Sequence, residues 1–311
     1  MSSLVLDGLA LVAAILLAAI GGEAFLRGVL GFSAWLRLPK MLVATTLAAF
    51  ATSSPELTVS SLAALAGKPE IGLGDALGSN VVNIALVLGI ALMFGSLPAR
   101  LEEIRRDMIL ALAVPPITFF LISDGVLSRA DGAVLLCLFV FWLGMMVRQA
   151  LHHRRRQAEE APDAQGVKFW LISLYALLGL GSLLMAGKLF VSGASGIALA
   201  MGMSPYVIGA TLVAYGTSLP ELVTTLLSRW RGHDEIGLGT VLGSNLFNGL
   251  AIVGLAASIY PIAVPLSSVY LGLGVGVLSL LLILPRKGRI SRRRGALLLA
   301  LYAAFAAASL A

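Results

Sequence analysis

Thr46-Leu-Ala-Ala-Phe-Ala-Thr-Ser-Ser-Pro-Glu56-Leu57 and Thr211-Leu-Val-Ala-Tyr-Gly-Thr-Ser-Leu-Pro-Glu221-Leu222 are nearly the same segment written twice. Each is followed by a second shared segment, Gly74-Asp-Ala-Leu-Gly-Ser-Asn-Val-Val-Asn83 and Gly239-Thr-Val-Leu-Gly-Ser-Asn-Leu-Phe-Asn248. A constant offset of 165 residues relates the two copies, without a gap, and about half of the positions from Thr46 to Gly89 are identical to their partners. Both glutamates lie inside apolar runs long enough to enter a membrane. A carboxylate there is costly, so a duplicated pair of them points to a functional site.

Working outward, apolar residues make up 59% of the 311 residues and charged ones only 12%, well below the roughly 25% charge of soluble domains. Runs of about 20 apolar residues recur along the whole chain, as spanning helices require. They are continuous rather than alternating, which excludes a β-barrel. The fold class is therefore an all-α integral membrane protein. Ten transmembrane helices are expected, over about 4–30, 41–66, 71–97, 107–123, 130–150, 168–189, 205–228, 236–259, 263–284 and 294–310. No basic residue precedes the first apolar run, so that run reads as a retained helix rather than a cleaved signal. The single cysteine, Cys137, excludes an internal disulfide.

The one long polar stretch, His152 to Gly166, divides the chain into a first five-helix repeat at 1–151, a cytoplasmic linker at 152–167 and a second five-helix repeat at 168–311. The motifs occupy 46–89 and 211–254. Five is odd, so the second copy enters the membrane from the opposite side: two inverted-topology repeats. With the N-terminus outside, 18 of the 22 Lys and Arg residues fall in inside loops, which sets the orientation, N-out and C-out, by the positive-inside rule. The net charge of +6 is thus a membrane signature, and no nucleic-acid partner is implied. Glu23 faces Lys188 in the repeat alignment, and both read as side chains reaching for an interface. Gly22, Gly28 and Gly31, with Gly187, Gly193 and Gly196 opposite, read as close-packing positions.

Thr52, Ser53 and Glu56 are spaced to share a helix face. Pro55 removes one helical hydrogen bond and should break the helix there, freeing a carbonyl beside the carboxylate. Thr217, Ser218, Pro220 and Glu221 repeat the arrangement. Ser79 and Asn83, and Ser244 and Asn248, are i, i+4 pairs on the following helices and can turn toward the same cavity. The donors are all hard oxygens, with no Cys or His, which suits Ca²⁺ and Na⁺ and argues against zinc or copper. Two carboxylates neutralised either by Ca²⁺ or by monovalent ions favour occlusion of loaded states, the chemistry of an antiporter. No metal-binding histidine set, catalytic cysteine constellation or phosphate loop supports an enzyme. Asp75 has only Thr240 opposite it, and with Glu70, Glu235 and His233 it is assigned a solvated or capping role.

The duplicated Thr-Ser-x-Pro-Glu and Gly-Ser-Asn-x-x-Asn motifs resemble those of the sodium/calcium exchanger family of cation/calcium antiporters, prokaryotic type, with no regulatory domain. The resemblance covers essentially the whole chain. It implies Na⁺-driven Ca²⁺ exchange by alternating access at the plasma membrane, with the first and sixth helices sliding over the other eight. It implies as ion ligands Glu56, Glu221, Thr52, Ser53, Thr217, Ser218, Ser79, Asn83, Ser244 and Asn248, with the main-chain carbonyls of Ala49 and Ala214. Ca²⁺ and Na⁺ are then cargo, with no cofactor and no obligate protein partner. Some relatives carry aspartate where this chain has Asn248. The residues leave H⁺ or K⁺ as alternative driving ions and a cation channel as a further alternative.

Overall fold

The structure is a computed structural model that describes residues 3–158, 168–202 and 214–310. Positions 205–213 of the predicted 205–228 helix, and most of the predicted linker, lie outside the described residues. Among the described residues the chain is almost wholly helical, and helices fall on each predicted segment. Five are long and apolar enough to cross a membrane by length and composition: Leu4–Leu36, Pro69–Met93, Arg129–Arg154, Phe169–Ile197 and Asp234–Ile259.

Two segments depart from one straight helix because of the motif prolines. The first runs Lys40–Val43, a π-helical turn Ala44–Ala48, Ala49–Thr52, then a break at Ser53 (φ −83°, ψ 7°) before Ser54–Leu65. Its counterpart runs Ala214–Thr217, breaks at Ser218 (φ −87°, ψ 8°) and resumes as Leu219–Trp230. Each break falls two residues before a proline, whose missing N–H cannot continue the ladder. The helices that follow, Pro69–Val81 and Asp234–Leu246, pass into π-helical turns at Val82–Leu88 and Phe247–Ile252.

The first helix extends to Leu36 and the sixth, Phe169–Ala200, runs well past its predicted end at 189. Gly28 and Gly31, read from the sequence as close-packing positions, are contact points between these two helices. A Cβ on Gly28 would lie 2.7 Å from the backbone of Ala176, one on Gly31 2.9 Å from Ile172, and Gly179 abuts the Phe25 backbone. Small residues thus let the two backbones approach, and the helices continue through them. Arg129–Ala158 also overruns its predicted end at 150, since no breaker occurs before Pro162.

The main core draws on Leu73, Leu88, Met108, Trp142, Leu246 and Leu250 among others, and takes nothing from the first or sixth helix. Those two contribute Phe25, Leu26, Val29 and Leu183 to a smaller cluster with Val43, Ala44, Ala48 and Ile236. Two short antiparallel ladders tie loops across the repeats. Leu97–Pro98 pairs with Arg289–Ile290, and Val126–Leu127 with Ile262–Ala263. Lys40 also links the halves, 3.2 Å from both Glu235 and His233. Glu235 lies in the first turn of Asp234–Leu246 and His233 just before it, both part-exposed, at the helix start expected of them.

Candidate ion site

Glu56 and Glu221 each sit in the first turn after a helix break, at the same position relative to Pro55 and Pro220. Both are fully buried, as are Thr52, Asn83, Ser244 and Asn248, while Ser53, Ser79 and Ser218 are nearly so. Thr52 is the last residue of the short helix before the break and Ser53 is the break itself. Thr217 and Ser218 hold those places in the second copy. Asn83 and Asn248 lie on the π-helical turns Val82–Leu88 and Phe247–Ile252, a distortion frequent at functional sites.

Most contacts between these residues run from one copy to the other. Ser244 donates to Glu221 Oε1 at 3.1 Å, and Ser53 donates to the same oxygen at 3.5 Å. The Thr52 and Ser244 hydroxyls share a hydrogen bond of 3.4 Å, and Ser218 donates to Ser79 at 3.4 Å. Asn80 and Asn245, separated by the same 165 residues, exchange bonds reciprocally. The Asn80 amide donates to the Asn245 carbonyl at 3.3 Å, and the Asn245 amide donates to the Asn80 carbonyl at 3.1 Å. This pair clamps Pro69–Val81 to Asp234–Leu246 and was not among the predicted site residues. Its signal lay in the sequence, as an identical residue at the repeat offset within the shared Gly-Ser-Asn motif.

Around this frame many buried polar atoms have no hydrogen-bond partner. They include both oxygens of Glu56, Oε2 of Glu221, and both side-chain polar atoms of Asn83 and Asn248. Each such atom costs about 1–3 kcal/mol unless something completes its bonding. These unpartnered atoms belong to residues at matching positions of the two copies and are candidates for coordinating an ion. The donors are carboxylate, hydroxyl and amide oxygens, matching the coordination taste of Ca²⁺ and Na⁺.

The main chain contributes less freely than the proline argument predicts. The Ala51 carbonyl, which Pro55 cannot serve, accepts a 2.6 Å hydrogen bond from the Ser54 hydroxyl. Ala49, expected as a carbonyl ligand, already accepts from the Ser53 amide at 2.9 Å and the Thr52 hydroxyl at 3.3 Å. In the second copy Leu219 replaces Ser54 and has no hydroxyl for the matching carbonyl of Gly216. Ala214 opens the short helix before the second break. The two halves of the site are therefore not chemically equivalent.

One further expectation needs correction. Asp75 is not a solvated cap: it lies mid-helix in Pro69–Val81, where the Thr217 hydroxyl hydrogen-bonds it and Oδ2 is buried without a partner. Glu23 reaches a part-exposed surface, where Arg231 holds it at 2.8 Å and Arg27 at 3.1 Å. A cavity of about 510 Å³ reaches the site from the side, lined by Pro55, Thr58, Lys188, Gly216, Thr217 and Pro220.

Residues 7–148 and 171–311 match the family described as "Sodium/calcium exchanger protein". The chain belongs to the sodium/calcium exchanger family. Among relatives of this exchanger, the inner membrane protein YrbG of Escherichia coli is 33% identical over 72% of this chain and 71% of its own. Sodium/calcium exchanger MaX1 of Methanosarcina acetivorans is 26% identical over 92% and 93%. The solved sodium/calcium exchanger of Methanococcus jannaschii superposes with a TM-score of 0.82 at 28% identity, covering 98% of each chain. This exchanger is accordingly a multi-pass membrane antiporter of the calcium and sodium transport class, and its family is one of transporters rather than enzymes.

Proposed function

We propose that this exchanger couples Na⁺ entry into its site to Ca²⁺ release on the other side of the plasma membrane, by alternating access. The observation that carries the reading is the fully buried pair Glu56 and Glu221, whose unpartnered oxygens, with those of Asn83 and Asn248, stand at matching positions of the two copies in an all-oxygen setting. One Ca²⁺ or several Na⁺ ions neutralise such a pair, whereas the bare pair is expensive to enclose in low dielectric. Occlusion then favours loaded carriers, which is what exchange requires. Thr52, Ser53, Thr217, Ser218, Ser79 and Ser244 supply hydroxyl oxygens, and Ala49 and Ala214 main-chain oxygens.

Ten spans in two inverted halves, 1–151 and 168–311 about the 152–167 linker, fit the observed contacts. The reciprocal Asn80–Asn245 pair is the contact a local twofold relation produces. Each ladder joins loops that the charge count assigns to one side: 97–98 with 289–290 inside, and 126–127 with 262–263 outside. The ladders fit the side-to-side parity of this arrangement, and the charge count alone gives the N-out and C-out orientation. The separation of the first and sixth helices from the main core supports their sliding as a unit.

The test is Ca²⁺ uptake into liposomes holding the purified protein, loaded with Na⁺, K⁺ or a pH gradient in parallel. Uptake that requires internal Na⁺ supports the assignment. Uptake that follows the pH or K⁺ gradient and ignores Na⁺ overturns it.

A further inference from the structure

Asp75 is a carboxylate that the two-glutamate account does not use. It sits one helical turn before Ser79 and two before Asn83, so its side chain lies on the face that carries both into the site. The Thr217 hydroxyl hydrogen-bonds it from the opposite copy, while its Oδ2 is buried and unpartnered. It interacts electrostatically with Glu56, which is itself fully buried. The matching residue in the second copy is Thr240, so the charge is added on one side only.

The arithmetic of charge then matters. Glu56, Glu221 and Asp75 carry three negative charges when ionised, and among the described residues no Lys, Arg or His forms an ion pair with any of them. One Ca²⁺ balances two. The third is left in a low-dielectric setting, where an uncompensated charge is strongly unfavourable. Lys188 lines the neighbouring cavity with Thr217, but it is exposed and makes no ion pair with Asp75.

We propose that Asp75 is a third carboxylate of the transport site, holding a monovalent cation together with Glu56, Ser79 and Thr217. This rests on the reading of Glu56 and Glu221 as ion ligands and extends it. The consequence is one more monovalent cation per cycle than the two glutamates alone would bind. It also locates ion choice in the asymmetry between the copies, Asp75 against Thr240.

The test compares wild type with Asp75→Asn in liposomes, reading separately the Na⁺ and Ca²⁺ dependence of exchange. The expected result is a half-saturating Na⁺ concentration raised about tenfold with a Hill slope lowered by about one, against a Ca²⁺ half-saturation moved by less than about threefold. Asp75→Glu should recover most of the Na⁺ affinity. An unchanged Na⁺ curve would show Asp75 to be only an acceptor for Thr217. A Ca²⁺ affinity that falls as far as the Na⁺ affinity would make it a calcium ligand instead. Either outcome overturns the proposal. Should Asp75→Asn not fold, Thr217→Val, which removes the donor but keeps the carboxylate, takes its place and must shift the Na⁺ curve in the same direction. Glu221→Gln serves as the separate control: if it leaves Ca²⁺ exchange intact, the underlying site assignment fails whatever Asp75 does.

Discussion

Glu221→Gln is the cleanest perturbation of the site, because the structure shows which contacts survive it. Glu221 Oε1 accepts from Ser244 and Ser53, and the amide oxygen of glutamine can occupy that place. Oε2 has no partner, so the amide nitrogen breaks no existing hydrogen bond. What is lost is one unit of charge. Two unit charges about 4 Å apart interact by about 4 kcal/mol at an effective dielectric of 20, and Ca²⁺ feels about twice that. If reduced desolvation offsets three-quarters of the loss, about 2 kcal/mol remains, or roughly 30-fold in affinity. Na⁺, with half the charge, should lose about half as much free energy per ion. Equilibrium binding of labelled Ca²⁺ to purified, monodisperse protein measures this, with the exposed Glu70→Gln as control. Ca²⁺ affinity within threefold of wild type, in a folded variant, would remove Glu221 from the site.

Three other outcomes follow from named contacts. Asn80→Ala deletes one donor of the reciprocal pair and should lower stability by about 1–3 kcal/mol, read as a reduced thermal midpoint in detergent together with impaired exchange. Gly179→Val places a side chain against the Phe25 backbone and should prevent the first and sixth helices from packing, whereas Gly181→Ala, with open space around it, should retain transport. Ser54→Ala releases the Ala51 carbonyl and should cost about 1 kcal/mol of stability; an unchanged midpoint would mean that water replaces the hydroxyl.

The parts of the fold legible in the sequence were those written in long apolar runs and in charge. Glu56 and Glu221 stand out because a carboxylate inside such a run has no bland explanation when it occurs twice. The helix breaks were legible through Pro55 and Pro220. What was missed depends on partners distant in sequence. Asp75 looks like any polar residue near a helix start until Thr217 is seen bonded to it. Ser54 gives no sign that it will take the carbonyl that Pro55 leaves open. The π-helical turns carrying Asn83 and Asn248 have no composition of their own, since they arise from how the packed helix accommodates an extra residue. The close-packing role of Gly28 and Gly31 was legible at the repeat offset, but their partners across the helix pair, the Ala176 backbone and the Ile172 side chain, were not.

The central claim is that one buried oxygen site serves both ions in turn. The most direct measurement follows labelled Ca²⁺ and labelled Na⁺ together across liposomes containing wild type or Glu221→Gln. The account predicts that Ca²⁺ moves only while Na⁺ moves oppositely, that a Ca²⁺ gradient without counter-ion yields no net flux, and that Glu221→Gln weakens both fluxes together. Net Ca²⁺ flux without Na⁺ movement, or a variant that loses one ion's flux and keeps the other's, would contradict it.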